Sequence, residues 1–137
     1  MAAGTSTTTV KEYSNGVKIV TVVFTTATDD TTLTATTVRG VSGKKLHSIL
    51  VLGGTTGPTA NGDLELNDTL TGVNYVATNG ADVVDGNDSV NYLAPDAAYD
   101  PCIIWGDLEV DPQGSGGETN IVANATTTVK LLFQDDF

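Results

Sequence analysis

Few residues in this chain are of a type that does chemistry, and their spacing matters more than their number. Asp82, Asp85, Asn87 and Asp88 fall within seven positions and offer the hard oxygens that suit Ca²⁺. Their spacing does not match an EF-hand loop, which takes ligands at positions 1, 3, 5 and 12 with Gly at 6, nor a Gly-Gly-x-Gly-x-Asp repeat. The stretch therefore reads as a turn with solvated carboxylates, and no essential metal is expected there. His47 is the single imidazole and sits beside Lys44 and Lys45. A triad would need a nucleophile and an orienting acid converging on it. No local motif supplies either, so His47 reads as a partly buried strand residue. Cys102, the single cysteine, has no basic neighbour in sequence to hold a thiolate and reads as a small core hydrophobe. Trp105 reads as a core residue or an interface anchor ahead of a ligand stacker. Gly53-Gly54-Thr55-Thr56-Gly57-Pro58 lacks the Lys and the following helix of a P-loop. Carboxylate pairs cannot be singled out among 17 acids. The expected catalytic, cofactor and metal residues are none, and the chain is read as a protein without enzymatic activity.

Composition narrows the classes further. The chain has 137 residues with 17 acidic and 6 basic side chains, a net charge of −11. That length suits one domain. One cysteine excludes a disulfide scaffold, and one cysteine with one histidine excludes a Cys/His zinc module. A chain so poor in cations is not expected to bind nucleic acid. No apolar run reaches the ~18 residues of a membrane span. The start, Met1-Ala2-Ala3-Gly4-Thr5, has neither the basic nor the apolar region of a secretory signal, so synthesis in a cytoplasm is expected.

The elements that must position these residues are strands. Lys18–Phe24 is β-branched and aromatic, with Ile19, Thr21 and Val23 on one face and Val20, Val22 and Phe24 on the other. Both faces are largely apolar, which predicts burial on both sides or a subunit contact. Thr31–Val38 and Leu46–Leu52 are two further strands. Gly62–Asn67 alternates, with Leu64 and Leu66 in and Asp63 and Glu65 out. Cys102–Val110 places Cys102, Ile104, Leu108 and Val110 on one face, and Thr126–Phe133 does the same for Val129, Leu131 and Phe133. The Asx-Gly pairs Asn15-Gly16, Asn61-Gly62, Asn79-Gly80 and Asp85-Gly86 tolerate the positive φ of tight turns. One helical turn is expected at Pro95–Tyr99. The predicted core is Val20, Val22, Leu50, Leu64, Leu66, Ile104, Leu108, Leu131 and Phe133. The fold class is all-β, a single-domain antiparallel β-sandwich of jelly-roll or Greek-key kind over residues 10–137, with residues 1–9 as a flexible arm.

Charge is divided unevenly. Residues 1–50 hold five of the six cations against three acids, a net of +2, while residues 51–137 carry a net of −13. Solvated loops account for the split, because Asp suits turns; the alternative is a dipolar subunit whose basic edge docks on an acidic partner while its acidic end faces solvent.

From Val38 to Phe133 the order of features resembles a group of small bacteriophage virion proteins. A strand of the Leu46–Leu52 kind leads into a Gly/Pro/Thr loop, Thr55-Thr56-Gly57-Pro58-Thr59. Then come the strand Gly62-Asp63-Leu64-Glu65-Leu66-Asn67-Asp68, the turn Gly72-Val73-Asn74, and a Pro-led segment from Pro101 to Leu108 that ends Gly-x-Leu. The chain departs from that sketch at Asn74, where Asp is expected, and over Ala77–Asp100. The resemblance implies a structural role in the virion: a capsid decoration (cement) protein that docks on the outer shell and stabilises capsid subunits, or else a tail, baseplate or receptor-binding fibre component. It implies the major capsid protein or another virion protein as partner, and no cofactor. A non-viral binding module and an enzyme are the remaining classes. The expected interface is the arm and the basic first half: Thr5, Thr7, Thr8, Thr9, Lys11, Lys18, Arg39, Lys44 and Lys45. A homotrimer is expected, because a small sandwich buries only one face of each sheet and a strand apolar on both faces needs a second cover.

Overall fold

A computed structural model describes residues 5–25, 35–54, 62–84, 89–113 and 126–135. Eight strands form two antiparallel sheets packed as an all-β sandwich. The strands are β1 (Thr5–Glu12), β2 (Val17–Thr25), β3 (Thr36–Val38), β4 (Lys45–Gly53), β5 (Asp63–Asp68), β6 (Val90–Leu93), β7 (Leu108–Gln113) and β8 (Thr126–Gln134). One sheet has the order β1-β2-β8-β4-β6 and the other β3-β7-β5. The turn expected at Pro95–Tyr99 is a short 3₁₀ segment, Ala97–Tyr99, capped by the Asp96 carboxylate, which accepts from the Ala98 N–H at 2.8 Å.

The core lies between the sheets. Val20, Val22 and Phe24 of β2, Leu46, Ile49 and Val51 of β4, and Val129, Leu131 and Phe133 of β8 line one wall. Val38, Leu64, Leu66, Leu108 and Val110 line the other. The period-2 alternation read from sequence holds in β2, β5 and β8. In β4 it breaks. A β-bulge between Leu46 and Ser48 inserts one residue against β8, so the inward set after Leu46 becomes Ile49 and Val51. Leu50, expected in the core, therefore points to the outer face and is half-buried. His47, expected to be partly buried, is the residue inside the bulge and is exposed. Of the strand read over Thr31–Val38, Thr36–Val38 form β3, and residues 31–34 lie outside the described residues. Cys102 and Ile104 are buried on one side as expected, yet regular pairing starts only at Leu108.

Strand β1 begins at Thr5, inside the segment read as an arm, and pairs with β2 along its whole length, from Thr5 opposite Thr25 to Glu12 opposite Lys18. The hairpin turns at Asn15-Gly16, where Gly16 has φ +82°, a conformation that favours glycine. All eight side chains of β1 are exposed. The contact holding this strand is therefore mainly backbone hydrogen bonding.

Candidate docking face and the Asp68 hub

Antiparallel partners point to the same side of a sheet, so the register fixes what the outer face of the five-stranded sheet displays. One cross-strand row is Thr9, Thr21, Lys130, Leu50 and Tyr92. The next is Thr7, Val23, Thr128, Leu52 and Val90, and a third is Lys11, Ile19, Leu132 and Ser48. No described element lies over this face. Val90 and Tyr92 are each 68% exposed. Ile19, Ser48, Leu50, Tyr92, Lys130 and Leu132 surround a shallow recess of about 250 Å³.

Charge on this face is opposite to that of the chain. Its outward strand positions include Lys11, Lys45 and Lys130 and no carboxylate. Among the described residues these three cations form no ion pair. The other three do: Lys18 with Glu12 at 3.6 Å, Arg39 with Asp107 at 3.3 Å, and Lys44 with Asp135. Lys18 also donates to the Gly40 carbonyl at 3.1 Å. The residues expected at an interface are thus not brought onto one surface. Thr5, Thr7, Thr9, Lys11 and Lys45 share the outer face. Thr8 points to the opposite side of β1, and Lys18, Arg39 and Lys44 are held by acids of their own chain.

A second constellation escaped the sequence reading. The Asp68 side chain is 2% exposed at the inward end of β5. Its Oδ1 accepts from the Leu70 N–H at 2.8 Å and the Thr71 N–H at 3.0 Å. Its Oδ2 accepts from the N–H groups of Trp105 and Gly106, each at 3.0 Å, and from the Tyr75 hydroxyl. Burial alone would raise this carboxyl. The hydrogen bonds from Tyr75, Gly106, Thr71 and Leu70 outweigh burial and lower it from 3.8 to about 2. Burial, and then donation to Asp68, push the Tyr75 hydroxyl well above the ordinary phenol range. The sequence did carry a signal: extending the inward alternation of Leu64 and Leu66 by one step reaches Asp68.

The hub ties the Asp68–Gly72 turn to the Trp105-Gly106 segment, and the close approach needs glycine. A Cβ on Gly106 would lie 2.7 Å from Cβ of Leu70 and 3.1 Å from Asp68 Oδ1. Trp105, read as a core residue or interface anchor, is not in the core and is 67% exposed; Leu70 is 71% exposed. The buried carboxylate thus fixes the backbone beneath two solvent-facing apolar side chains.

The remaining chemistry-bearing residues do not converge. His47 has Ser48 Oγ at 3.2 Å from Nδ1 as its hydrogen-bond partner. Burial, with Asp100 nearby, pushes the Cys102 thiol up to about 12, so it stays protonated at neutral pH. Asp82 has φ +57°, and its N–H donates to Asp63 Oδ1 at 3.0 Å. Asp85, Asn87 and Asp88 lie outside the described residues. Among the described residues no three His, Cys, Asp or Glu side chains group closely enough to hold a metal ion, and no helix is long and apolar enough to cross a membrane.

Comparison with known proteins finds no family model that matches the chain, and no match among curated proteins or solved structures.

Proposed function

We propose that this protein is a non-enzymatic component of a phage virion, a capsid decoration protein that docks on the outer shell through the outer face of its five-stranded sheet. The observation that carries the reading is that face: it displays Ile19, Leu50, Leu132, Val90 and Tyr92, no described element lies over it, and its three cations form no ion pair among the described residues of a chain of net charge −11. Exposed apolar surface of this kind marks an interaction site. The local positive charge selects a partner whose matching patch is apolar and ringed by carboxylates. It also disfavours packing two copies face to face, since that would bring like charges together. The virion assignment itself rests on the resemblance of the order of features from Val38 to Phe133 to small virion proteins. The homotrimer belongs to the same proposal. β1 and β6 are the edge strands of the described five-stranded sheet, and edges of this kind are where copies of a chain can associate.

The test is electron cryo-microscopy of purified particles together with sedimentation of particles with added protein. The expected result is density on the outer shell, and loss of co-sedimentation for Leu50→Lys and Leu132→Lys variants that melt as the parent does. Density confined to the tail would replace decoration with the tail or fibre alternative. Absence from particles would overturn the virion reading.

A further inference from the structure

A second recess lies at the Asp68 hub, away from the outer sheet face. It has a volume of about 380 Å³, and its walls include Thr71, Tyr75, Tyr99, Asp100, Pro101 and Trp105. That volume falls in the range of small-molecule sites. Three features of its construction bear on what fits.

The first is a presented aromatic. Trp105 is 67% exposed, so its indole is not spent on the core. Its backbone is nevertheless held, because its N–H donates to Asp68 Oδ2 at 3.0 Å and to the Tyr75 hydroxyl at 3.2 Å. The second is a braced wall. The Tyr99 ring meets the Tyr75 ring edge-on, with centroids 5.8 Å apart and planes at 81°. Tyr75 is in turn fixed by its hydroxyl bond to Asp68. Both aromatic walls therefore trace back to one buried carboxylate. The third is the polar complement: Asp100 and Thr71 are among the lining residues, and no Lys or Arg is.

We propose that the recess between Trp105 and Tyr99 is a binding site for neutral saccharides. A sugar ring has one face of polarised C–H groups, which is attracted to the negative face of an aromatic ring. Its rim carries hydroxyl groups, which donate to a carboxylate in charge-assisted hydrogen bonds. The lack of a lining cation, in a chain of net charge −11, selects against phosphate, sulfate and carboxylate ligands. A proline-rich peptide also suits aromatic grooves, but proline has no N–H and presents carbonyl acceptors. Asp100 offers an acceptor, which the hydroxyl donors of a polyol engage and proline cannot. The inference does not depend on the virion reading, since the recess and the outer sheet face share no lining residue.

Trp105 is the only tryptophan of the chain, so its fluorescence reports on this site alone. The experiment titrates the 137-residue chain, free of particles, with maltohexaose, cellohexaose, chitohexaose and mannohexaose, and in parallel with decaproline and a sulfated heparin hexasaccharide. The expected result is a saturable blue shift with at least one neutral hexasaccharide and none with the sulfated one. Calorimetry on Trp105→Ala should then show affinity reduced by roughly tenfold or more, with an unchanged melting temperature, because the removed ring is solvent-facing. Leu50→Lys should bind sugar as the parent does, which separates this site from the sheet face. No response to any of the four neutral sugars overturns the proposal. So does a response to decaproline alone, a preference for the sulfated sugar, or full affinity in Trp105→Ala.

Discussion

Asp68 and Trp105 are 37 positions apart in the chain, yet the carboxylate of the first accepts the backbone N–H of the second at 3.0 Å. A buried charge here fixes an exposed ring. Asp68 is satisfied by five donors, four from backbone and one from Tyr75. Such a group is costly to alter, because five donors are aimed at one charged acceptor.

Replacing Asp68 with Asn tests this directly. The amide keeps the shape but turns an N–H₂ group towards N–H donors. The expected loss is about 2–4 kcal/mol, the range for breaking a buried charged hydrogen-bond network. Urea unfolding of both proteins measures it, and a loss below about 1 kcal/mol would show that the hub is dispensable.

The same carboxylate predicts an acid dependence. Its folded value, about 2, lies below the ~3.9 of an unfolded Asp. A group lowered on folding stabilises the folded state above its unfolded value, and that stabilisation is lost as pH falls through the folded value. The window is therefore about pH 4 down to pH 2, and the size is about 2 kcal/mol. The stability gap between the parent and Asp68→Asn should be constant above pH 5 and narrow towards pH 2. A gap that stays constant down to pH 2 would refute the assignment.

The bulge in β4 predicts a contrast between leucines. Leu64→Ala and Leu108→Ala empty fully buried positions and should each cost about 2–5 kcal/mol. Leu50→Ala, on the outer face, should cost about 1 kcal/mol or less. Equal losses at Leu50 and Leu64 would mean that the alternation runs unbroken through His47.

Cys102 should be inert while the chain is folded. It is 3% exposed, and its thiol is raised to about 12. A thiol-specific reagent at pH 8 is expected to react at the rate of global unfolding, and stoichiometrically once denaturant is added. Rapid labelling of the folded protein would contradict the burial.

Strand faces were legible wherever alternation was unbroken. Leu64, Leu66, Val129, Leu131 and Phe133 are inward as their spacing says, and Asn15-Gly16 makes the hairpin turn its chemistry favours. Leu50 was misplaced because a bulge adds a residue without altering composition, so nothing in Leu46–Leu52 announces it. The choice between core and surface for Trp105 was open for a related reason. The residue type leaves core and interface anchor open, and the contact that separates them, the backbone bond to Asp68, is made by a residue distant in sequence. The outer face of the five-stranded sheet was half legible: the apolar second side of β2 could be seen, but its union with Leu50, Tyr92 and Lys130 is a matter of strand order, which local pattern does not encode.

That strand order also governs how the protein is made. β8 follows every other strand in the chain, yet it lies at the centre of the five-stranded sheet, between β2 and β4. A ribosome that has not reached Thr126 holds two separate pairs, β1 with β2 and β4 with β6, that share no neighbour. Each half keeps an open edge next to the vacant central lane, and such edges template association with other chains. Closure must wait for distant segments to meet, which makes it slow relative to the growth of local structure. Translation that stalls or terminates before Thr126 should therefore yield aggregation-prone fragments, and the synthesis of Thr126–Gln134 becomes the step at which the five-stranded sheet forms together.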